Sequence, residues 1–193
     1  MALRKIRIWP DPELTIVASP VSEVTDEVRQ LIDDLFQTMY DANGVGLAAT
    51  QVAVRQRVLV IDLDPHGDAK NDPDLVDELT AWGFPGPTAF INPEIIASEG
   101  VFSWEEGCLS VPGITEPVKR KETVTVRALD RNGEPFELTA HGLFAVAIQH
   151  ESDHLDGKVF VDYLSKLKRD VIKRKMIRLK AEESDSGEVA ASL

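Results

Sequence analysis

The strongest constraint on the fold of this chain is an apolar run that leads directly into a cluster of ionisable residues. Residues 143–148 read LFAVAI, and residues 149–157 read QHESDHLDG. The apolar run predicts a helix that is buried on every side, and Gly157 is a plausible stop beyond its end. Carboxylates and imidazoles are costly to bury unless they are paired or bound to a metal. The sequence therefore predicts a core helix that carries a polar site.

Two histidines of this helix are four residues apart. His150 and His154 should lie on one helical face, where two imidazoles can bind a single metal ion. Glu151 beside the first histidine can reach a water held by that ion, as in metal-dependent hydrolases. The alternative is a surface helix whose polar face carries histidines by chance, which the apolar run disfavours.

A catalytic site of this type needs a third protein ligand and one open position. Phe160 stands where one class of metallopeptidases has a third histidine, and the next glutamates are Glu182 and Glu183 near the C-terminus. The third ligand is therefore expected upstream, and Cys108 in the loop EEGCLSVPG is the natural candidate. An inert buried thiol and a nucleophile paired with histidine remain alternatives for this cysteine.

Composition limits the class of protein. The chain has 193 residues, one cysteine and a formal net charge of −12. It has no secretory signal and no apolar run long enough to cross a bilayer, and a lone cysteine cannot form an intramolecular disulfide. We expect a cytoplasmic protein with no membrane partner and no specific DNA partner. Residues 158–180 are nevertheless basic, in contrast to the acidic remainder.

The hydrophobic pattern predicts a single α+β domain over residues 1–180, with small mixed or antiparallel sheets around the central helix. Amphipathic helices are expected near both termini, and Asn-Gly in a polar break predicts a hairpin. Residues 64–87 are expected to be a surface excursion with a short helical turn near 75–79, and residues 181–193 a disordered tail. The predicted elements are helices 25–42 and 162–180 and strands 57–63, 88–101 broken at Pro93, 122–129 and 135–139.

Three separated motifs resemble those of the peptide deformylase family, and they occur in the same order. They are GVGLAATQ (44–51), EGCLS (106–110) and QHESDHLDG (149–157). The resemblance implies an enzyme that removes the N-formyl group from the formylmethionine of newly synthesised proteins. It implies that Cys108, His150 and His154 bind one divalent metal ion and that Glu151 is the general base and acid. Gln51 and the backbone N–H of Leu109 would bind the oxyanion.

The resemblance also suggests where the substrate binds. The methionine side chain needs an apolar pocket, and the residues beside the proposed site are candidates, although each could be ordinary core. Glycines permit close main-chain approach to a peptide. Many family members carry an arginine a few residues after EGCLS, whereas this chain reads VPGIT. Segment 64–87 departs from the family as an insertion. The candidate substrate-binding residues are Val45, Gly46, Gly107, Leu143, Val146 and Ala147.

The sequence says less about the identity of the metal and of the binding partners than about the metal ligands. A cysteine with two histidines suits Fe²⁺, Zn²⁺, Co²⁺ or Ni²⁺, and the family commonly uses Fe²⁺. Asp153 is expected to orient a ligand or to pair with a cation such as Arg120. The basic helix 162–180 could contact the ribosome, where formylated chains emerge, or simply be a solvated face. The rival interpretations are a metallopeptidase that cleaves internal amide bonds and a ribosome-binding module with a structural metal site.

Overall fold

Two antiparallel sheets and four α-helices make up the computed structural model, which describes the backbone of residues 2–191 and the side chains of residues 2–182. One sheet has five strands in the order β1-β2-β3-β6-β7, and the other is the hairpin β4-β5. This architecture confirms the predicted α+β class with a central helix. The strands are β1 (Gly46–Ala48), β2 (Val58–Ile61), β3 (Thr88–Glu99), β4 (Phe102–Gly107), β5 (Thr115–Arg120), β6 (Thr123–Leu129) and β7 (Pro135–His141), and the α-helices are α1 (Asp26–Asp41), α2 (Pro73–Ala81), α3 (Gly142–Leu155) and α4 (Lys166–Ala191).

Helix α3 is the central helix that the sequence predicted. Its apolar side chains share one buried cluster with strands β2, β3, β6 and β7. Phe144 and Ile148 are completely inaccessible, and His150, Glu151 and His154 are also buried. The helix therefore carries its ionisable residues into the interior, as the apolar run indicated.

Helix α1 packs on the face of the five-stranded sheet opposite to the face that α3 covers. Leu31, Ile32, Leu35 and Met39 are buried in a second cluster that includes residues of β1, β2 and β3. The helix begins after Thr25 and ends at Asp41, close to the predicted range 25–42. Helical spacing of its apolar residues explains why the sequence located this element well.

Strand β3 is longer than the sequence suggested. We predicted a break at Pro93, but the strand continues to Glu99 with a register shift between Ile91 and Glu94. Asn92 takes a positive φ of 54° at this point, and its side-chain amide exchanges two hydrogen bonds with the backbone of Val21. A bulge thus absorbs the proline without ending the strand.

Segment 64–87 is more closely attached to the core than a surface excursion would be. It contains a short 3₁₀ helix and α2, which begins at Pro73. The side chain of Asp72, the N-cap residue of α2, accepts hydrogen bonds from two backbone N–H groups of the first turn. Leu79 is buried in the apolar cluster that contains the side chains of α3, and Leu75, Trp82 and Phe84 pack against that cluster. Polar residues separate these apolar positions, so the sequence did not indicate that the segment packs on the core.

The last helix differs from the prediction at both ends. Residues 160–163 form a 3₁₀ helix, and α4 begins at Lys166 rather than at residue 162. Helical spacing predicted that Leu167, Val171, Ile172 and Met176 all face inward. Ile172 and Met176 are buried, whereas Leu167 and Val171 are 74% and 52% exposed. The backbone is helical up to Ala191, where a disordered tail over 181–193 was predicted. Residues 192 and 193 lie outside the described residues.

No helix in the described part of the chain is long and apolar enough to cross a membrane.

Candidate metal centre and active site

Cys108, His150 and His154 come together although 42 residues separate the cysteine from the first histidine. Cys108 follows the end of β4, and both histidines project from α3. Their potential ligand atoms all lie within 4.8 Å of one another, and Sγ of Cys108 is 3.2 Å from Nε2 of His154. One thiol and two imidazoles are a donor set that divalent transition metals bind. The three residues therefore fit a single metal ion.

A buried ion-pair network fixes one of these histidines. Glu106 Oε2 lies 2.7 Å from His150 Nδ1, which leaves Nε2 for a metal. Arg120 donates to Glu106 Oε1 at 2.5 Å and to Asp153 Oδ2 at 2.5 Å, and its guanidinium lies over the ring of Tyr163. The Arg120–Asp153 pair is present as the sequence suggested. Glu106 belongs to a motif that the sequence singled out, but its contact with His150 was not anticipated.

Electrostatics in this network follow from burial and charge. Burial alone would raise the pKa of Glu106, but hydrogen bonds from Arg120 and His150 hold that pKa below its usual value. Burial holds the pKa of His154 well below its usual range, which favours the neutral imidazole. Neutral imidazole is the form that binds metals.

Glu151 is a second buried carboxylate of the site. Burial raises its pKa to about 7, and its Oε2 atom has no hydrogen-bond partner among the described residues. A Cβ atom added to Gly46 would lie only 2.5 Å from Oε1 of Glu151. The glycine of β1 is thus required for the close approach of this strand to the carboxylate. A buried carboxylate with a pKa near neutrality suits general acid–base chemistry.

The amide of Gln51 is held in one orientation. Its Oε1 atom accepts from the backbone N–H of Ala48 at 2.8 Å, so its NH₂ group faces the site. That NH₂ donates to Ser110 Oγ at 3.1 Å and lies 3.7 Å from Cys108 Sγ. Sequence reasoning selected Gln51 but missed Ser110, whose backbone N–H also donates to the cysteine sulfur.

A cleft of about 700 Å³ opens over these groups. Gln51, Cys108, Leu109, His150 and Glu151 line the cleft, whereas His154 is buried and does not line it. Trp104 and Ile6 also line it and were not selected from the sequence, because neither belongs to the three motifs. All six candidate substrate-binding residues lie on its wall, namely Val45, Gly46, Gly107, Leu143, Val146 and Ala147.

Three potential metal ligands, an adjacent buried carboxylate and an oriented amide donor form an arrangement typical of metal-dependent hydrolases. Comparison with known proteins gives the family. The family model for polypeptide deformylase matches residues 3–170. The chain belongs to this family.

Individual peptide deformylases are similar to this chain over almost its whole length. A peptide deformylase of Alkalilimnicola ehrlichii is 51% identical over 93% of this chain and 92% of its own length. One from Azotobacter vinelandii is 52% identical over 91% and 95%. The crystal structure of a peptide deformylase from Legionella pneumophila has a TM-score of 0.82 and 45% identity, covering 95% of this chain and 98% of that one. The Ehrlichia chaffeensis enzyme in complex with actinonin has a TM-score of 0.81 and 37% identity, covering 91% and 96%.

Proposed function

We propose that this chain removes the N-formyl group from the N-terminal formylmethionine of newly synthesised proteins, with residues 1–180 as its catalytic domain. The observation that carries the proposal is the convergence of Cys108, His150 and His154 beside Glu151 at the base of a cleft. Membership in the deformylase family supports the same reaction. Formate and a free amino terminus would be the products.

Cys108, His150 and His154 are the residues that would hold the metal. A divalent ion bound there supplies Lewis acidity and lowers the pKa of water, to about 7 in favourable zinc sites. We propose Fe²⁺ as the native ion because the deformylase family commonly uses it. Zn²⁺, Ni²⁺ and Co²⁺ are proposed substitutes, since a thiolate and two imidazoles suit all four ions. Anaerobic purification should retain iron and give higher activity per chain than aerobic purification. Equal activity from iron-free protein would contradict the choice of iron.

Glu151 is proposed as the general base and then the general acid. Its free Oε2 atom can accept a proton from the attacking water as the water oxygen bonds to the formyl carbon. The same carboxyl can then deliver the proton to the amine nitrogen as the C–N bond breaks. The raised pKa of this group supports both transfers near neutral pH.

Gln51 and the backbone N–H of Leu109 are proposed to stabilise the negative charge that develops on the formyl oxygen. The amide of Gln51 is held ready by Ala48, so little reorganisation is required during the reaction. Gln51→Ala should lower kcat by about 10²–10³-fold, the usual cost of losing one oxyanion donor. Gln37→Ala, on the exposed surface of α1, is the matched control and should have no effect.

The cleft walls provide the remaining specificity. Val45, Leu143, Val146 and Ala147 form an apolar surface for the methionine side chain. Gly46 and Gly107 lie on strands that border the cleft, where a substrate backbone could add main-chain hydrogen bonds. An apolar pocket next to main-chain donors and acceptors matches an extended peptide that begins with methionine.

Formate release from formyl-Met peptides, with metal analysis of the same sample, tests the function. Glu151→Gln should keep the metal and abolish turnover, whereas Glu99→Gln on the exposed end of β3 should behave like the wild type. Cleavage of longer unformylated peptides would instead favour the metallopeptidase interpretation. Metal retention with no hydrolysis of either substrate would favour a structural metal site.

We also propose that the chain acts in the cytoplasm and contacts the ribosome through α4. Lys166, Lys173 and Arg174 are exposed and have no carboxylate partner among the side chains described, which end at residue 182. Leu167 and Val171 are exposed beside them. Unpaired cations on one helix suit an anionic surface such as ribosomal RNA.

Charge reversal tests the ribosome contact. The double variant Lys173→Glu and Arg174→Glu should weaken co-sedimentation with ribosomes, and the wild-type interaction should weaken as salt is raised. Lys5→Glu with Lys119→Glu changes the net charge equally on other exposed surfaces and serves as the control. Equal co-sedimentation of both double variants would refute the role of α4.

A further inference from the structure

Segment 64–87 has no role in the reaction proposed above, yet it contacts the start of the helix that carries the site. The backbone N–H of His141 donates to the carbonyl oxygen of Trp82 at 3.0 Å. The rings of Phe84 and Phe144 meet edge to face, with their centroids 5.3 Å apart. The segment therefore covers the junction between β7 and α3 through both its backbone and its side chains.

The closest contact in this junction is between Trp82 and Gly142. Gly142 is the first residue of α3 and has a positive φ of 52°. A Cβ atom placed on Gly142 would lie 2.2 Å from Nε1 of Trp82, so the indole rests directly on the glycine backbone. The preceding residue, His141, provides no side-chain cap for the helix. The indole and the Trp82 carbonyl thus constrain a helix start that has no side-chain cap of its own.

The residues that follow Gly142 form the apolar side of the cleft. Leu143 is the next residue, and Val146 and Ala147 lie one turn later. Leu143 and Trp82 both pack against the same buried cluster. A shift of the first turn of α3 would therefore move the wall of the cleft before it moved His150 and His154, which lie about two and three turns further along the helix.

We infer that Trp82 is a positioning residue that sets the shape of the methionine pocket through Gly142 and Leu143. The inference rests on the proposed function, since it concerns selectivity within the same cleft. In this role, segment 64–87 holds the first turn of α3 against the sheet. Trp82 itself does not line the cleft and touches no reacting atom.

Trp82→Ala tests this positioning role. With the indole removed, KM for a formyl-Met peptide should rise about tenfold while kcat changes less than about twofold, because small displacements of a binding wall are costly. Preference for formyl-Met over formyl-Ala peptides should fall by about tenfold, within the range that apolar pocket contacts are worth. A purely structural role would lower the active fraction, which reduces kcat for every substrate equally and leaves KM and the preference unchanged.

Two further variants make the experiment decisive. Trp82→Phe keeps a ring against Gly142 and should give intermediate KM and preference. Val76 lies on the exposed face of α2 in the same segment, so Val76→Ala should have the KM and the substrate preference of the wild type. Wild-type KM and preference in Trp82→Ala, or in Trp82→Phe should the alanine variant not fold, would overturn the inference. A wild-type chain that releases no formate from any formylated peptide would refute the proposed function as well.

Discussion

Arg120 is the cation on which the buried network behind the metal site depends. Its side chain is 4% exposed and lies between the carboxylates of Glu106 and Asp153, which are 2% and 14% exposed. Arg120→Met keeps much of the apolar stem but removes the guanidinium. Glu106 would then be a buried carboxylate whose remaining polar neighbour is His150, and Asp153 would keep only its contact with the hydroxyl of Tyr163.

The magnitude follows from the cost of an unpaired buried charge. Removing one partner of a buried ion pair usually destabilises a protein by about 3–5 kcal/mol. For a chain of this size, about 1 kcal/mol lowers the melting temperature by roughly 2–4 °C. Arg120→Met should therefore lower the melting temperature by about 6–20 °C. Mutating Glu106 to Gln in the same chain should recover part of this loss, because no bare carboxylate would then remain beside His150.

Circular dichroism during thermal and urea unfolding of chelator-treated protein measures this effect without a contribution from metal binding. Arg127→Met is the matched control, since Arg127 forms an ion pair with Glu137 in which both side chains are about half exposed. Exposed pairs contribute little to stability, so the control should unfold like the wild type. Equal melting temperatures for the two arginine variants would refute the reasoning that burial makes the Arg120 network important.

Three other perturbations have defined outcomes. Gly46→Ala should abolish turnover but retain the metal, because its Cβ would contact Glu151 at 2.5 Å; activity above a tenth of the wild type would contradict this. Burial opposes ionisation of Asp34, but hydrogen bonds from Ala2, Gln30 and Arg4 hold its pKa below its usual value. Asp34→Asn should therefore cost about 1–3 kcal/mol at neutral pH, and the cost should shrink in urea titrations as the pH falls through the usual range of an aspartate. Prolonged chelation should remove activity, and added Fe²⁺, Ni²⁺ or Co²⁺ should restore it; full activity in metal-free protein would refute the metal requirement.

The sequence located the elements whose side-chain period is strong. Helix α3 was recognisable because LFAVAI is apolar on every face, and α1 because its apolar residues recur at helical spacing. The β4-β5 hairpin was missed because FSWEEG is mostly polar and pairs only with β5. In α4, periodicity predicted an inward face that was too wide, because only the part with Ile172 and Met176 packs in a cluster with Val111 and Val118.

Only the site residues that lie within the three motifs could be predicted from the sequence. Three short motifs contain the proposed metal ligands, Glu151 and Gln51, and the structure brings these residues into one cluster. Arg120 lies 14 residues from Glu106 and meets it only because the hairpin folds back. Trp82 lies outside every motif and meets Gly142 through tertiary packing alone. Contacts of this kind depend on the register of strands and on packing, which local sequence patterns do not encode.

The packing of α4 bears on the order in which the site is assembled during synthesis. The loop that carries Cys108 packs in the same cluster as Ile172 and Met176, together with Trp9 and Phe160, so part of its support comes from α4. A ribosome has to synthesise α4 before this part of the support for the sulfur exists. A copy that ends before Ile172 should therefore hold the sulfur beside the two imidazoles less firmly and bind a metal more weakly.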